Sequence, residues 1–338
     1  MELGIPPRIA AMPRFDLTAG PSPLIAAPRF SAALGGRAEI WLKREDLLPL
    51  AFGGNKVRNL ELLVGAALAA RGDTLVTAGR RWSNHCRLTA AAGARAGLDV
   101  HLVLSGPPGG PEPPNERLAR LLGATVHVAE TADRSDREGL VERVVGDLEA
   151  AGARPYVIAV GGTGSGEGDV VGACGQVLAG LELAAQADGI GLEIATIVLP
   201  AATGGTHAGV LTGLRAAGRQ SAVVGVAVSA PADETRATVA GIARRLAPLV
   251  EVSPRLDDDA IEIDGEQLGG GYGAPSAAAE EAAGLLARTE GVLVDPIYTA
   301  KALAGLVARV RDGRLSGTVV FWHAGGQPAL FGAPPASR

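Results

Sequence analysis

Lys56 follows two glycines and an asparagine in Phe52-Gly53-Gly54-Asn55-Lys56-Val57-Arg58, and an amine in that setting can do covalent chemistry. The glycines remove side chains, so a planar ligand could lie against the backbone. Val57, Leu60, Leu63 and Val64 fall on one helical face. This predicts a helix from Asn55 to Arg71 that stops at Gly72 and carries Lys56 in its first turn. The positive end of a helix disfavours ammonium, so this amine should release its proton more readily than a surface lysine, as Schiff-base chemistry requires. A solvated lysine after a tight turn is the plainer reading of these few residues taken alone.

Other segments offer binding groups. Pro200-Ala201-Ala202-Thr203-Gly204-Gly205-Thr206-His207-Ala208-Gly209 follows a strand-like run and precedes a helical pattern. A glycine turn at a helix N-terminus suits a phosphate. The Walker A lysine and the full GxGxxG spacing are missing, so a nucleotide is not its specific reading, and a plain strand-to-helix turn explains it as well. In Arg80-Arg81-Trp82-Ser83-Asn84-His85-Cys86-Arg87, Ser83 is a natural N-cap. Asn84 and His85 then occupy a first turn where free N–H groups can converge on a carboxylate. Cys86 reads as a small buried residue rather than a nucleophile. Tyr272 and Tyr298 each sit in a turn before a helix, where packing with a satisfied hydroxyl explains each one singly. Phe321-Trp322-His323-Ala324-Gly325-Gly326 ends a strand in a turn that could abut a flat ligand, with His323 an interior residue.

Apolar runs at 74–78, 100–104, 125–128, 156–160, 196–199, 223–228 and 318–322 must position these groups. They alternate with helix candidates at 84–96, 115–122, 137–151, 169–187, 232–246, 276–288 and 299–310. That alternation predicts an α/β fold with open, doubly wound, mainly parallel sheets. Ligands in such sheets sit at the carboxyl ends of strands, where the segments above fall. Residues 106–114 read as a surface loop and 161–168 as a seam between lobes. Of the 338 residues 47% are hydrophobic and 20% charged, a globular balance that can bury a sizeable core. A net charge of −5 without a basic block argues against nucleic acid and for a small ligand. Two cysteines without CxxC spacing support neither a disulfide framework nor a metal site, and fit the cytoplasm. No apolar run reaches the ~18 residues of a membrane span.

Taken in order, the segments resemble the fold type II pyridoxal 5′-phosphate enzymes, and within them the D-cysteine desulfhydrase and 1-aminocyclopropane-1-carboxylate deaminase family. The likeness runs through Trp41-Leu42-Lys43-Arg44-Glu45-Asp46, Gly53-Gly54-Asn55-Lys56, Ser83-Asn84-His85, Gly204-Gly205-Thr206-His207-Ala208-Gly209, Gly271-Tyr272-Gly273, Asp295-Pro296-Ile297-Tyr298 and Gly325-Gly326-Gln327-Pro328, and covers nearly the whole chain. It implies a large cofactor-binding domain of residues 1–54 and 160–338, with a smaller domain of 55–159 inserted in it, and a homodimer. By resemblance Lys56 looks like the lysine that holds pyridoxal phosphate. Thr203, Gly204, Gly205 and Thr206 look like its phosphate cup, and Asn84 would hold the ring hydroxyl. Ser83, Asn84 and His85 would receive the substrate carboxylate, while Tyr272 and Tyr298 flank ring and substrate, with Lys56, Ser83 and both tyrosines in catalytic roles.

The chain departs from the family pattern at several places. Ala324 stands where a threonine usually faces the pyridine nitrogen, and Thr299 where the deaminases have a glutamate. Asn59 replaces a lysine near the phosphate. Trp82 replaces a glutamine beside the substrate, so that with Arg80 and Arg81 that wall becomes larger and more cationic. The resemblance implies a lyase or deaminase acting on a small amino acid, with β-elimination from a D-cysteine-like substrate to keto acid, ammonia and sulfide expected first. Cyclopropane ring opening, β-replacement, racemisation, loss of a sulfonate from an anionic substrate, and a catalytically decayed cofactor-binding protein are the other readings.

Overall fold

The computed structural model describes residues 4–106, 111–129, 134–163, 170–251 and 260–332. Parts of the expected loop at 106–114 and of the expected seam at 161–168 lie outside the described residues. In chain order the elements are α1 (Pro7–Ala10), β1 (Leu24–Ala26), α2 (Pro28–Ala33), β2 (Ala38–Arg44), α3 (Lys56–Ala69), β3 (Thr74–Arg80), α4 (Asn84–Ala96), β4 (Asp99–Ser105), α5 (Pro114–Leu121), β5 (Thr125–Ala129) and α6 (Arg134–Ala150). They continue as β6 (Pro155–Ile158), α7 (Val171–Ile190), β7 (Thr196–Ala201), α8 (Gly205–Ala216), β8 (Ala222–Ala227), α9 (Ala232–Val250), β9 (Ile261–Asp264), α10 (Ala277–Glu290), α11 (Thr299–Arg311) and β10 (Gly317–His323).

These strands form two sheets. A six-stranded sheet runs β1-β2-β10-β7-β8-β9 and a four-stranded one β5-β4-β3-β6. Every pairing is parallel except β1 with β2. Alternation along the strands shows why helices cover both faces. Ile197, Leu199, Val320 and Trp322 pack with α7, α8 and α9, whereas Val198, Val319 and Phe321 pack with α10 and α11. In the smaller sheet Leu75, Leu102 and Leu104 meet α3 and α4, and Val76, Ala78 and Val103 meet Val144 of α6. Apolar residues on both sides of each strand exclude water from both faces, which is the condition for a buried parallel sheet.

Strands β1, β2 and β9 do not read as apolar runs in the sequence. β2 carries Glu39, Lys43 and Arg44, and β9 carries Glu262 and Asp264. The structure accommodates the buried charges in networks. Lys43 is fully buried and pairs with Glu182 of α7, while Arg58 of α3 bridges Glu45 at 2.6 Å and Glu182 at 2.8 Å. Ser22 Oγ donates to Glu45 at 2.5 Å. Removing one member of such a network strands a buried charge and costs ~3–5 kcal/mol. Arg58 lies two residues beyond Lys56, so the network fixes the start of α3 against α7 and β2.

Candidate active site

The carboxyl ends of both sheets open on one cavity of ≈ 230 Å³. The segments after β3, β6, β7, β8 and β10 supply Ser83–His85, Val160 and Gly161, Ala202–Gly204, Ser229, and Ala324 with Gly325. Lys56, Arg80, Arg137, Thr206, Tyr272 and Tyr298 also line it. No aspartate or glutamate lines it among the described residues.

Lys56 opens α3 as the sequence predicts, and its Nζ donates to the Gly161 carbonyl at 2.8 Å. Burial lowers its pKa to about 8. The turn before it holds Gly54 at φ +120°, where a Cβ would stand 3.0 Å from the Ala324 carbonyl oxygen. That close approach lets Asn55 N donate to the same oxygen at 3.0 Å, tying the lysine turn to the turn after β10.

Two helix N-termini face the cavity. In α8 the first intrahelical bond runs from Ala208 N to Gly204 O, so the N–H groups of Gly205, Thr206 and His207 have no acceptor inside the helix. Gly204 begins this turn at φ +80°, a conformation that disfavours side chains. Thr206 Oγ1 accepts from Asn55 Nδ2 at 2.7 Å. In α4, Ser83 caps the helix by accepting from Cys86 N at 3.3 Å, and Arg87 N bonds to Ser83 O, which leaves the N–H groups of Asn84 and His85 free of helix partners. Each end combines free donors with the positive end of a helix dipole, a setting that suits an anion.

Hydrogen bonds set the polarity of the α4 side chains. Asn84 Oδ1 accepts from Arg87 Nη1 at 3.1 Å and from Asn115 Nδ2 at 3.0 Å, so the network assigns its oxygen to the protein and leaves the amide N–H groups as donors. His85 has the opposite character. Thr77 Oγ1 donates to Ile158 O at 2.7 Å and must therefore accept from His85 Nε2 at 3.1 Å. The ring is thereby assigned the Nε2–H tautomer, with Nδ1 a buried acceptor lacking a partner among the described residues. Burial, followed by the Lys56 charge, pushes its pKa down to about 3, so it stays neutral. The His85 side chain thus has the wrong polarity for the expected carboxylate contact, and only its backbone N–H suits one.

Tyr272 and Tyr298 share a hydrogen bond of 2.6 Å with their rings edge to face, 5.6 Å between centroids. Burial raises both phenols above their ordinary value. They remain neutral where Lys56 titrates.

The comparisons with known proteins bear on this geometry. A protein-family model described as "Pyridoxal-phosphate dependent enzyme" matches residues 15–325. The chain belongs to that family. A solved structure of an ACC deaminase homologue is 31% identical, covers 96% of each chain and superposes with a TM-score of 0.86. A solved threonine deaminase from T.th. is 22% identical over 90% of this chain and 92% of that one, with a TM-score of 0.65, and shares the fold. The chain is thus a pyridoxal-phosphate-dependent enzyme of fold type II. Its cavity fits that cofactor. The α8 N-terminus offers free donors to a phosphate, the wall holds no carboxylate among the described residues to repel one, and Lys56 supplies an amine of lowered pKa.

The expected site residues Lys56, Ser83, Asn84, His85, Thr203, Gly204, Thr206, Tyr272, Tyr298 and Ala324 all line the cavity. Gly205 is buried behind them, where a Cβ would collide with Thr163 Cγ2. Trp82 is not among them. It lies in a separate surface groove with Phe52, Pro113 and Phe331, because the turn from Arg81 to Ser83 directs it toward α5 instead. Arg81 also leaves the site, pairing with Glu116 of α5 at 2.5 Å. Thr299 is buried and spends its hydroxyl on Asp295 Oδ1 at 2.5 Å. Asn59 is buried beside Gln176, whose Nε2 donates to its Oδ1 at 2.6 Å. Sequence reasoning missed Arg137, Ser229 and the Gly161 carbonyl as parts of the wall. Ser229 had a signal, since it follows the carboxyl end of a strand-like run. Arg137 had none beyond its charge.

Proposed function

We propose that this chain is a pyridoxal-phosphate-dependent lyase or deaminase that acts on a small amino acid, with β-elimination from a D-cysteine-like substrate as its reaction. The observation that carries this reading is the meeting in one cavity of a lysine lowered to about 8 and two helix N-termini with free donors. The likeness to an ACC deaminase homologue supports a reaction of that general class. In this reading residues 55–159 form a smaller domain inserted in one of 1–54 and 160–338, and the protein works as a cytoplasmic homodimer.

When bound, pyridoxal phosphate supplies the electron sink for cleavage at the substrate α-carbon. Lys56 would hold the cofactor covalently and, as a free amine, would move the proton at the substrate α-carbon. Its lowered pKa keeps a usable fraction as free amine near neutrality. Thr203, Gly204, Gly205 and Thr206 would hold the phosphate, through backbone N–H groups at the start of α8. The N–H groups of Asn84 and His85, with the Ser83 hydroxyl, receive the substrate carboxylate. The Asn84 amide, fixed as a donor by Arg87 and Asn115, suits the ring hydroxyl oxygen. Tyr272 and Tyr298, neutral and bonded to each other, offer a proton donor rather than a base. With Ala324 on the wall and the Thr299 hydroxyl committed to Asp295, no acidic side chain among the described residues is offered to the pyridine nitrogen, which weakens the case for ring opening.

Turnover tests the proposal. Holoenzyme with D-cysteine should release keto acid and ammonia together, faster than with 1-aminocyclopropane-1-carboxylate. Absence of keto acid from every small amino acid offered would overturn it.

A further inference from the structure

The roles given so far use the backbone N–H of His85 and leave its ring idle. That residue is 3% exposed and lies on the cavity wall, and its Nδ1 is an acceptor with no partner among the described residues. A buried acceptor left unmet is costly and calls for a donor. The ring cannot escape by changing tautomer. Thr77 Oγ1 spends its own proton on Ile158 O at 2.7 Å, so it holds the Nε2 proton at 3.1 Å and keeps Nδ1 bare. Nor does the ring charge near neutrality, since its pKa is pushed down to about 3.

Lys56 is the donor within this corner of the cavity. Its charge is the one that bears on the His85 ring. Both side chains gather at the carboxyl end of β6: Lys56 Nζ donates to Gly161 O at 2.8 Å, and the His85 ring reaches Ile158 O through Thr77. An ammonium carries three N–H groups and a free amine two, so Gly161 O leaves at least one unspent, on a stem flexible enough to present it. An uncharged acceptor suits this amine. A carboxylate would stabilise the ammonium and undo the lowering to about 8, whereas a neutral imidazole accepts an N–H with far less effect. The other histidine on the wall, His207, is engaged elsewhere. Its Nδ1 lies against β8, where a Cβ on Gly225 would stand 2.4 Å away, and the charge that bears on it is that of Arg236.

We propose that His85 is a positioning residue for Lys56, its Nδ1 accepting one N–H of the amine while Gly161 O accepts another, so that the reactive lone pair is turned toward the middle of the cavity. This inference rests on Lys56 being the cofactor lysine, as proposed above, and deepens that reading by giving the amine a second fixed contact.

Heteronuclear NMR of the full-length apo protein with isotope-labelled histidine reads the contact directly. The His85 resonances, identified by their loss in His85→Asn, should show a bare Nδ1 and a protonated Nε2. The Nδ1 line should move as Lys56 titrates and should move again in Lys56→Met, without the ring taking up a proton. The pH dependence of cofactor reconstitution gives a second readout. His85→Leu removes the acceptor and should lower the midpoint by about one pH unit, the tenfold change expected for one hydrogen bond to an ammonium. His85→Asn sets an amide oxygen near the place of Nδ1 and should keep the wild-type midpoint, whereas a side chain that only packs would alter thermal stability and leave the midpoint unmoved in both. A proton on Nδ1, an Nδ1 line indifferent to Lys56→Met, or a His85→Leu midpoint equal to that of wild type would overturn the contact. Should His85→Leu fail to fold, the wild-type and Lys56→Met spectra decide alone. If the cofactor is fixed on Lys56 and the Nδ1 line is indifferent to it, this inference alone falls. If the line responds to Lys56 and the cofactor is fixed on another residue, the proposed function falls and the contact stands.

Discussion

Arg87 should matter for cofactor binding more than for folding. Its side chain is fully buried and donates to Gly53 O at 2.9 Å, to Asn115 Oδ1 at 2.9 Å and to Asn84 Oδ1 at 3.1 Å. It therefore joins the glycine turn before Lys56 to the residue that presents donors from α4. Arg87→Met keeps the stem and removes the fork. Gly53 O and Asn115 Oδ1 would each lose their donor, at ~1–3 kcal/mol for a buried acceptor left unmet. Burying the guanidinium also carries a cost, since desolvation lowers its pKa from 12.5 to about 10, which corresponds to ~3 kcal/mol recovered on its removal. The two nearly cancel, so apo stability should fall by no more than about 3 kcal/mol. Asn84 keeps only Asn115 as donor to its oxygen, and its amide can rotate. Cofactor affinity should then weaken about tenfold, one hydrogen bond to a charged oxygen. Thermal unfolding of the apo protein and fluorescence titration with pyridoxal phosphate separate the two effects. A variant that melts lower but binds the cofactor with unchanged Kd would refute the positioning role.

Further outcomes follow from the same geometry. Gly205→Val should abolish cofactor binding measured by absorbance, because its Cβ collides with Thr163, while Thr206→Ala should cost only ~0.5–1.5 kcal/mol of affinity, through the lost neutral bond from Asn55. Reconstitution of apo protein should accelerate as pH rises to about 8 and level off above it, since protonated Lys56 cannot attack an aldehyde. At pH 7 an amine of pKa about 8 is free ~300-fold more often than one of 10.5, and a rate that keeps rising toward pH 10 would count against the lowered value.

Much of the frame was legible because local signals agreed with the global arrangement. α4 runs over the expected residues 84–96 because Ser83 caps it and Gly97, at φ +70°, stops it. Lys56 sits in the first turn of α3 as its apolar spacing required. Its position at a helix start suggests the helix dipole as the source of a lowered pKa, whereas burial is the cause in the structure. β2 was hidden because Lys43 is neutralised by Glu182, 139 residues away in the chain. The acceptor character of His85 was hidden likewise, since it depends on Thr77 and through it on Ile158 of a neighbouring strand. Arg137 sits in a charged helical stretch that reads as a solvated face, and only the packing of α6 over β3 and β4 carries it to the cavity. Trp82 shows the converse. Its place in the chain suggests a cavity wall, yet neighbouring residues in a tight turn point in opposite directions.

Borohydride reduction of the holoenzyme, followed by proteolysis and mass spectrometry of the labelled peptide, tests the central claim most directly. A single pyridoxyl label should appear on Lys56 and be lost in Lys56→Ala. A label on Lys43 or Lys301, or no label on a protein shown to hold the cofactor, would contradict it.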